Sequence, residues 1–233
     1  IPSYKATPLD LITFESFNKR VAVLISTLQN SFFSILVKGA KEAADLFGIE
    51  LIFFDAKNED ARQLADISTA MSQKVDLLIL NPTNSESIYP GIELANSAGT
   101  PVITVDRKIS GGNLLCHIES DNVQGGRMAA QFMAQSLGGK GEILELEGIP
   151  GTSAAYERGI GFNEELGKFK GIHIAFREVA NFDRQEAKSA MLRYIRKNTF
   201  FDGVFAHNDN MILGVIDAYE ESGVKLPGVL IGF

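Results

Sequence analysis

The sequence predicts an α/β protein of two lobes, each a parallel β-sheet with helices on both faces. Two observations predict it. Short apolar, β-branched runs alternate in strict rotation with stretches of roughly 12–18 residues whose apolar positions recur at helical spacing. That rotation builds parallel sheets buried on both sides. It breaks once: between Val105 and Leu114 the link from Asp106 to Asn113 leaves no room for a helix. The run 114–119 is therefore expected to cross from one sheet system to the other, closing the first lobe near residue 120.

Strands are expected at 21–26, 51–55, 77–80, 102–105, 114–119, 142–146, 172–179, 203–206 and 229–232. The first helix carries Phe32, Ile35, Leu36, Ala40, Ala43 and Leu46 at helical spacing. It ends at Gly48, where a left-handed cap is wanted. Further helices are expected over 60–74, 85–98, 124–137, 153–166, 185–197 and 209–222, with Ser120-Asp121-Asn122 starting the first helix of the second lobe. Residues 1–19, with Pro2 and Pro8, read as an amino-terminal arm, 20–120 as the first lobe and 121–233 as the second. The chain opens on Ile1 without a basic-then-apolar leader and stops at Phe233, inside or just past a strand. A secretion signal already removed and a missing carboxyl-terminal part are therefore expected.

Composition narrows the classes. With 45% hydrophobic and 22% charged residues the 233-residue chain has an ordinary globular balance, which excludes a disordered tail or a fibre. No stretch approaches the roughly 20 apolar residues of a membrane helix. Lys and Arg number 22 against 29 Asp and Glu, a net charge of −7, so no cation excess favours nucleic acid. Cys116 is the single cysteine, which excludes an intrachain disulfide. Within the apolar run Leu114–Ile118 it reads as a small buried hydrophobe.

Ligands of open α/β sheets gather at the carboxyl ends of strands. There the sequence places Ser26, Asn30, Phe32 and Phe33, then Asn81, then Asp106 and Arg107; the second half supplies Arg158, Phe182 and Asn208. This mixture suits a carbohydrate. Hydroxyls donate and accept, so carboxylate, guanidinium and amide groups satisfy them, while the apolar C–H faces of a sugar ring pack on phenyl rings. Enzyme signatures are missing. The turn from Gly148 to Ser153 lacks the Gly-Lys-Ser/Thr ending of a phosphate loop, and His117, His173 and His207 lack partners at metal-ligand spacing. No catalytic residue, metal or cofactor is expected.

Several runs resemble ribose-type periplasmic sugar-binding proteins. They are Val23–Phe33, Leu80–Thr83, Pro101–Arg107, Ile118–Gly126, Gly151–Gly159, Phe182–Arg184, Val204–Asp209 and Ile231–Phe233, in order from about residue 20 to the end. Departures include Ser31 for a usual Pro, Gln29 for Asn and His207 for Gln. The resemblance implies a type I periplasmic binding protein: two Rossmann-like lobes joined by a hinge, closing on a monosaccharide. The ten strand-end residues above are the pocket it implies, and D-ribose or a related pentose or hexose is the ligand. A monomer in the periplasm is implied, passing sugar to a membrane ABC permease and in some relatives signalling to a chemoreceptor. The same architecture also serves as the effector-binding core of lactose-repressor-type regulators and as the sugar-sensing domain of membrane receptors; both stay open as alternatives.

Overall fold

The computed structural model describes residues 18–233, so residues 1–17 of the expected arm lie outside the described residues. The first lobe runs β1 (Arg20–Ile25), α1 (Ser31–Phe47), β2 (Glu50–Asp55), α2 (Asp60–Ser72), β3 (Leu77–Leu80), α3 (Tyr89–Ser97), β4 (Val102–Val105) and β5 (Cys116–Ile118). The second runs α4 (Asn122–Ser136), β6 (Lys140–Glu147), α5 (Ser153–Leu166), β7 (Gly171–Val179), α6 (Arg184–Arg196), β8 (Gly203–Ala206), α7 (Asp209–Ser222) and β9 (Val229–Ile231).

Both sheets are parallel and wound alike, in the orders β2-β1-β3-β4-β5 and β7-β6-β8-β9. Side chains alternate across a strand, so one run supplies two cores. Val21, Val23 and Ile25 of β1 pack with Phe33 and Val37 of α1. Ala22 and Leu24 pack on the other face with Ile67 and Ala70 of α2 and Ile92 and Ala95 of α3. In the second lobe α4 and α5 cover one face through Met133 and Phe162, while α6 and α7 cover the other through Met191 and Val215. Phe162 stacks on Phe205 of β8 with centroids 4.0 Å apart.

The local punctuation behaves as its chemistry dictates. Gly48 takes φ +64° and donates its N–H to Ala44 O, ending α1. The helix expected from residue 85 starts later, at Tyr89. Asn84 Oδ1 accepts the N–H groups of Glu86 and Ser87 and holds the preceding segment in a turn, and Pro90 opens the helix.

Two expectations about the run 114–119 change. Its strand, β5, pairs in parallel with β4 and completes the first sheet, so the crossing follows it, through Glu119–Asp121. Cys116 is exposed, not buried, because β5 is an edge strand with one neighbour.

One helix contact sets up the site. A Cβ on Gly126 of α4 would stand 2.3 Å from Arg158 O, and one on Gly161 of α5 would stand 2.0 Å from Val123 O. The two backbones touch only because both positions are glycine, and this seats α5 against the start of the second lobe.

Candidate ligand-binding cleft

A cavity of about 430 Å³ opens between the lobes at the carboxyl ends of their strands. The first lobe lines it with Asn30, Phe32, Phe33, Asp106 and Arg107, and the second with Arg158, Phe182 and Asn208. Each sheet reverses its winding at this edge, between β1 and β3 and between β6 and β8.

On the first-lobe side, Asn30 caps α1, its Oδ1 accepting from Phe32 N at 3.0 Å. Only its Nδ2 is left to face the cavity. Phe33 is buried and Phe32 is 54% exposed, their rings meeting edge-on at 5.3 Å. The first ring joins the core and the second stands free as a wall. Asp106 adopts φ +64°, a left-handed backbone held by its N–H donating to Ile118 O at 2.8 Å. Its carboxylate accepts from Asn81 Nδ2 at 3.3 Å, with Arg107 Nε at 3.7 Å and Arg158 Nη2 at 4.0 Å. Burial pushes the Asp106 carboxyl above its ordinary value, against the pull of the two guanidinium groups and Asn81.

Arg107 is 2% exposed, donates from Nη1 to Pro82 O at 3.1 Å, and keeps a buried Nε with no hydrogen-bond partner. Arg158 donates from Nε to Asn122 Oδ1 at 2.9 Å and from Nη1 to His207 O at 2.6 Å. Burial lowers both guanidinium groups to about 10, and Asp106 draws both back up. Both therefore stay charged at neutral pH. The Phe182 ring lies 5.7 Å from each guanidinium carbon, and Phe233 lies 3.9 Å from that of Arg158. Phe182 has φ +59° after Asn181 at +50°, a strained turn that points its ring into the cleft.

Ser26 and Asn81 are completely buried and lie beneath the cavity rather than on its wall. Asn81 Oδ1 accepts from Ser26 N at 3.2 Å, while its Nδ2 donates to Val105 O and to Asp106. The amide splints β1, β3 and β4 and aims the Asp106 carboxylate. Asn208 lines the cavity, yet its Oδ1 caps α7 at Met211 N and its Nδ2 donates to Phe182 O. It therefore positions Phe182 as well as facing the ligand space. Sequence reasoning missed Asp209, Asn210, Ser120 and Phe233, which also line the cavity. The motif runs through Asp209 and Phe233 carried that signal; the structure adds the side-chain direction.

Behind the second-lobe wall sits the buried carboxylate of Glu145, ringed by hydrogen-bond donors. His207 Nδ1 accepts from Gly148 N at 3.4 Å, so Nε2 carries the proton and donates to Glu145 Oε1 at 3.2 Å. Arg177 Nε and Asn163 Nδ2 also donate to Glu145. Among the described residues no group of His, Cys, Asp and Glu is arranged to hold a metal ion.

A periplasmic binding protein domain model matches residues 21–233. The ribose import binding protein RbsB of Bacillus subtilis (strain 168) is 38% identical over 213 residues, 91% of this chain and 68% of that protein. An ABC transporter solute-binding protein from Bacillus halodurans C-125 with bound myo-inositol superimposes with a TM-score of 0.86 at 31% identity, covering 94% of this chain and 77% of that one. The periplasmic binding component of the arabinose ABC transporter from Shewanella sp. ANA-3, bound to L-arabinofuranose, gives 0.85 at 27% identity, covering 91% and 72%.

Proposed function

The chain belongs to the periplasmic binding protein domain family, a family of non-enzymatic solute-binding proteins, and on that premise we propose that it is a monosaccharide receptor for an ABC importer. D-ribose is the sugar proposed first, because the B. subtilis relative is a ribose import binding protein. The inositol- and arabinose-bound neighbours keep other polyols in the test panel. Residues 20–120 and 121–233 are the two sugar-binding lobes. The working place is the periplasm, and the partner is a membrane permease.

One observation carries this reading. Asp106, Arg107 and Arg158 converge from both lobes on one space of about 430 Å³ walled by Phe32, Phe182 and Phe233. The carboxylate accepts from two ring hydroxyls. The guanidinium groups and the amide Nδ2 of Asn30 donate, and phenyl rings cover the apolar faces of the sugar. Hydrogen bonds to charged groups are worth roughly 1.5–3 kcal/mol each, so four or five bring affinity to micromolar or tighter after ordering costs. A ligand touching both lobes binds the closed form better than the open one and shifts the population toward closure. The closed form then presents one composite surface to the permease. Asn81, itself held by the Ser26 N–H, supports Asp106 from below.

Thermal unfolding and calorimetry with D-ribose, L-arabinose, myo-inositol, D-fructose and D-allose test the reading. A rise in melting temperature and a heat of binding with one of them is the expected result. No shift across the panel overturns it.

A further inference from the structure

We propose that Lys108 is a latch that fastens the lobes together and, through Asn122, positions Arg158 for the ligand without touching it. This rests on the reading that the ligand is held between the lobes.

Lys108 follows the cleft residues Asp106 and Arg107 on the β4–β5 connection of the first lobe. Its backbone N–H donates to Ser153 Oγ at 2.7 Å, and its Nζ meets Glu157 Oε1 at 2.6 Å. Ser153 and Glu157 are one turn apart on α5 of the second lobe and share a face. The next residue on that helix is Arg158. The same Nζ also meets Glu119 Oε1, on the crossing segment, at 2.5 Å. One cation thus joins the first lobe, the crossing and the second lobe.

The remaining carboxylate oxygens are taken as well. Glu119 Oε2 lies 3.1 Å from His117 Nε2 and accepts from Asn122 Nδ2 at 3.2 Å; Glu157 Oε2 accepts from the same Nδ2 at 3.4 Å. All four oxygens have partners only while Lys108 is seated between them. Asn122 is 1% exposed, and its Oδ1 takes the Arg158 Nε hydrogen bond. The amide is orientated by the two carboxylates on one side and orientates the guanidinium on the other. Rotation of the lobes apart breaks the Ser153 and Glu157 contacts, leaves two half-buried carboxylates facing each other, and loosens Asn122.

The latch therefore contributes to affinity mainly by slowing release. It is also salt-dependent, since Lys108 is 44% exposed. Calorimetry and stopped-flow release with D-ribose, L-arabinose and myo-inositol, on wild type, Lys108→Met, Glu157→Gln, the double variant and Lys108→Arg, test it. Each single change is expected to weaken binding roughly three- to tenfold, chiefly through faster release. The double variant should bind no worse than the weaker single variant, and Lys108→Arg should recover part of the loss. Singles that bind like wild type, or losses that multiply independently, overturn the latch while leaving the sugar receptor intact.

If wild type binds none of the three, the functional reading fails, and pulsed-EPR distances judge the latch alone. Spin labels at Lys57→Cys and Gln185→Cys, both exposed, in a Cys116→Ser background span the lobes. A short-distance population in wild type that Lys108→Met removes supports the latch; identical distributions overturn it.

Discussion

The Phe182 ring rests so close to Gly148 that a Cβ there would stand 2.1 Å from it. One glycine at the end of β6 thus makes room for the ring that lies beside both guanidinium groups of the cleft. Phe182 sits at φ +59°, so the ring has little freedom to move aside.

Gly148→Ala is accordingly expected to destabilise the protein by about 1–3 kcal/mol, the usual cost of overpacking. It should also weaken sugar binding, because the displaced ring leaves Arg107 and Arg158. Urea unfolding and calorimetry read the two effects. Unchanged stability and affinity would show that the Phe182 position is not set by this contact.

Asp106→Asn separates binding from folding. The carboxyl titrates above its ordinary value of 3.8, chiefly because it is buried, so the native state holds the proton more tightly than the unfolded chain does. Its contribution to stability is full below the unfolded pKa and is lost as pH rises through the folded one. At pH 7 the ligand-free variant should therefore melt no lower than wild type. Its advantage should vanish below the ordinary value of 3.8, toward about pH 3, where the wild-type carboxyl is protonated in both states. Sugar affinity should fall about 100-fold or more, since charge-assisted hydrogen bonds are removed. A lower melting point at pH 7 with unchanged affinity would sink both statements.

Glu145 has the opposite sign. Burial pushes its carboxyl up, but the His207 and Arg177 hydrogen bonds outweigh that and hold it below its ordinary value of 4.5. Its stabilisation is present above the unfolded pKa and disappears as pH falls through the folded one. Glu145→Leu is expected to cost about 1–3 kcal/mol at pH 7 by leaving the buried His207 Nε2–H without an acceptor, while Arg177, half exposed, keeps its hydrogen bond to Asn163. The gap from wild type should narrow in acid below the ordinary glutamate range. Chemical denaturation at several pH values measures it, and a gap constant with pH would remove the ion pair as its cause.

Gly161→Ala tests the α4–α5 contact, where a Cβ would stand 2.0 Å from Val123 O. Backbone cannot yield as a side-chain tip does, so α5 must shift as a unit and carry Arg158 with it. A loss of about 2 kcal/mol or more in stability is expected, together with weaker binding. Wild-type values for both would mean that the helices separate without disturbing the cleft.

Much of this was legible in the chain because it is written locally. The continuous apolar run Val21–Ile25 announces a strand buried on both faces, Gly48 announces the end of α1, and the rotation of strand and helix announces parallel sheets. Asp106, Arg107, Arg158 and Phe182 were legible as cavity-lining candidates because sheet topology sends ligands to strand ends, and these residues follow strands or lie in the helix after one. The reading of Cys116 failed for the complementary reason: an apolar run states that a strand forms, not that the strand lies at an edge.

What the sequence determined by itself is therefore the elements, the parallel sheets they build and the chemical kind of the groups at the strand ends. Only the tertiary structure decided which strand-end groups face the ligand space and which brace it. Ser26 and Asn81 went below, Asp209 and Phe233 joined the wall, and Lys108 came to bridge Glu119 and Glu157. Those roles depend on how α5 docks against α4 and how one lobe faces the other, through contacts between residues far apart in the chain, which leave no periodic trace in it.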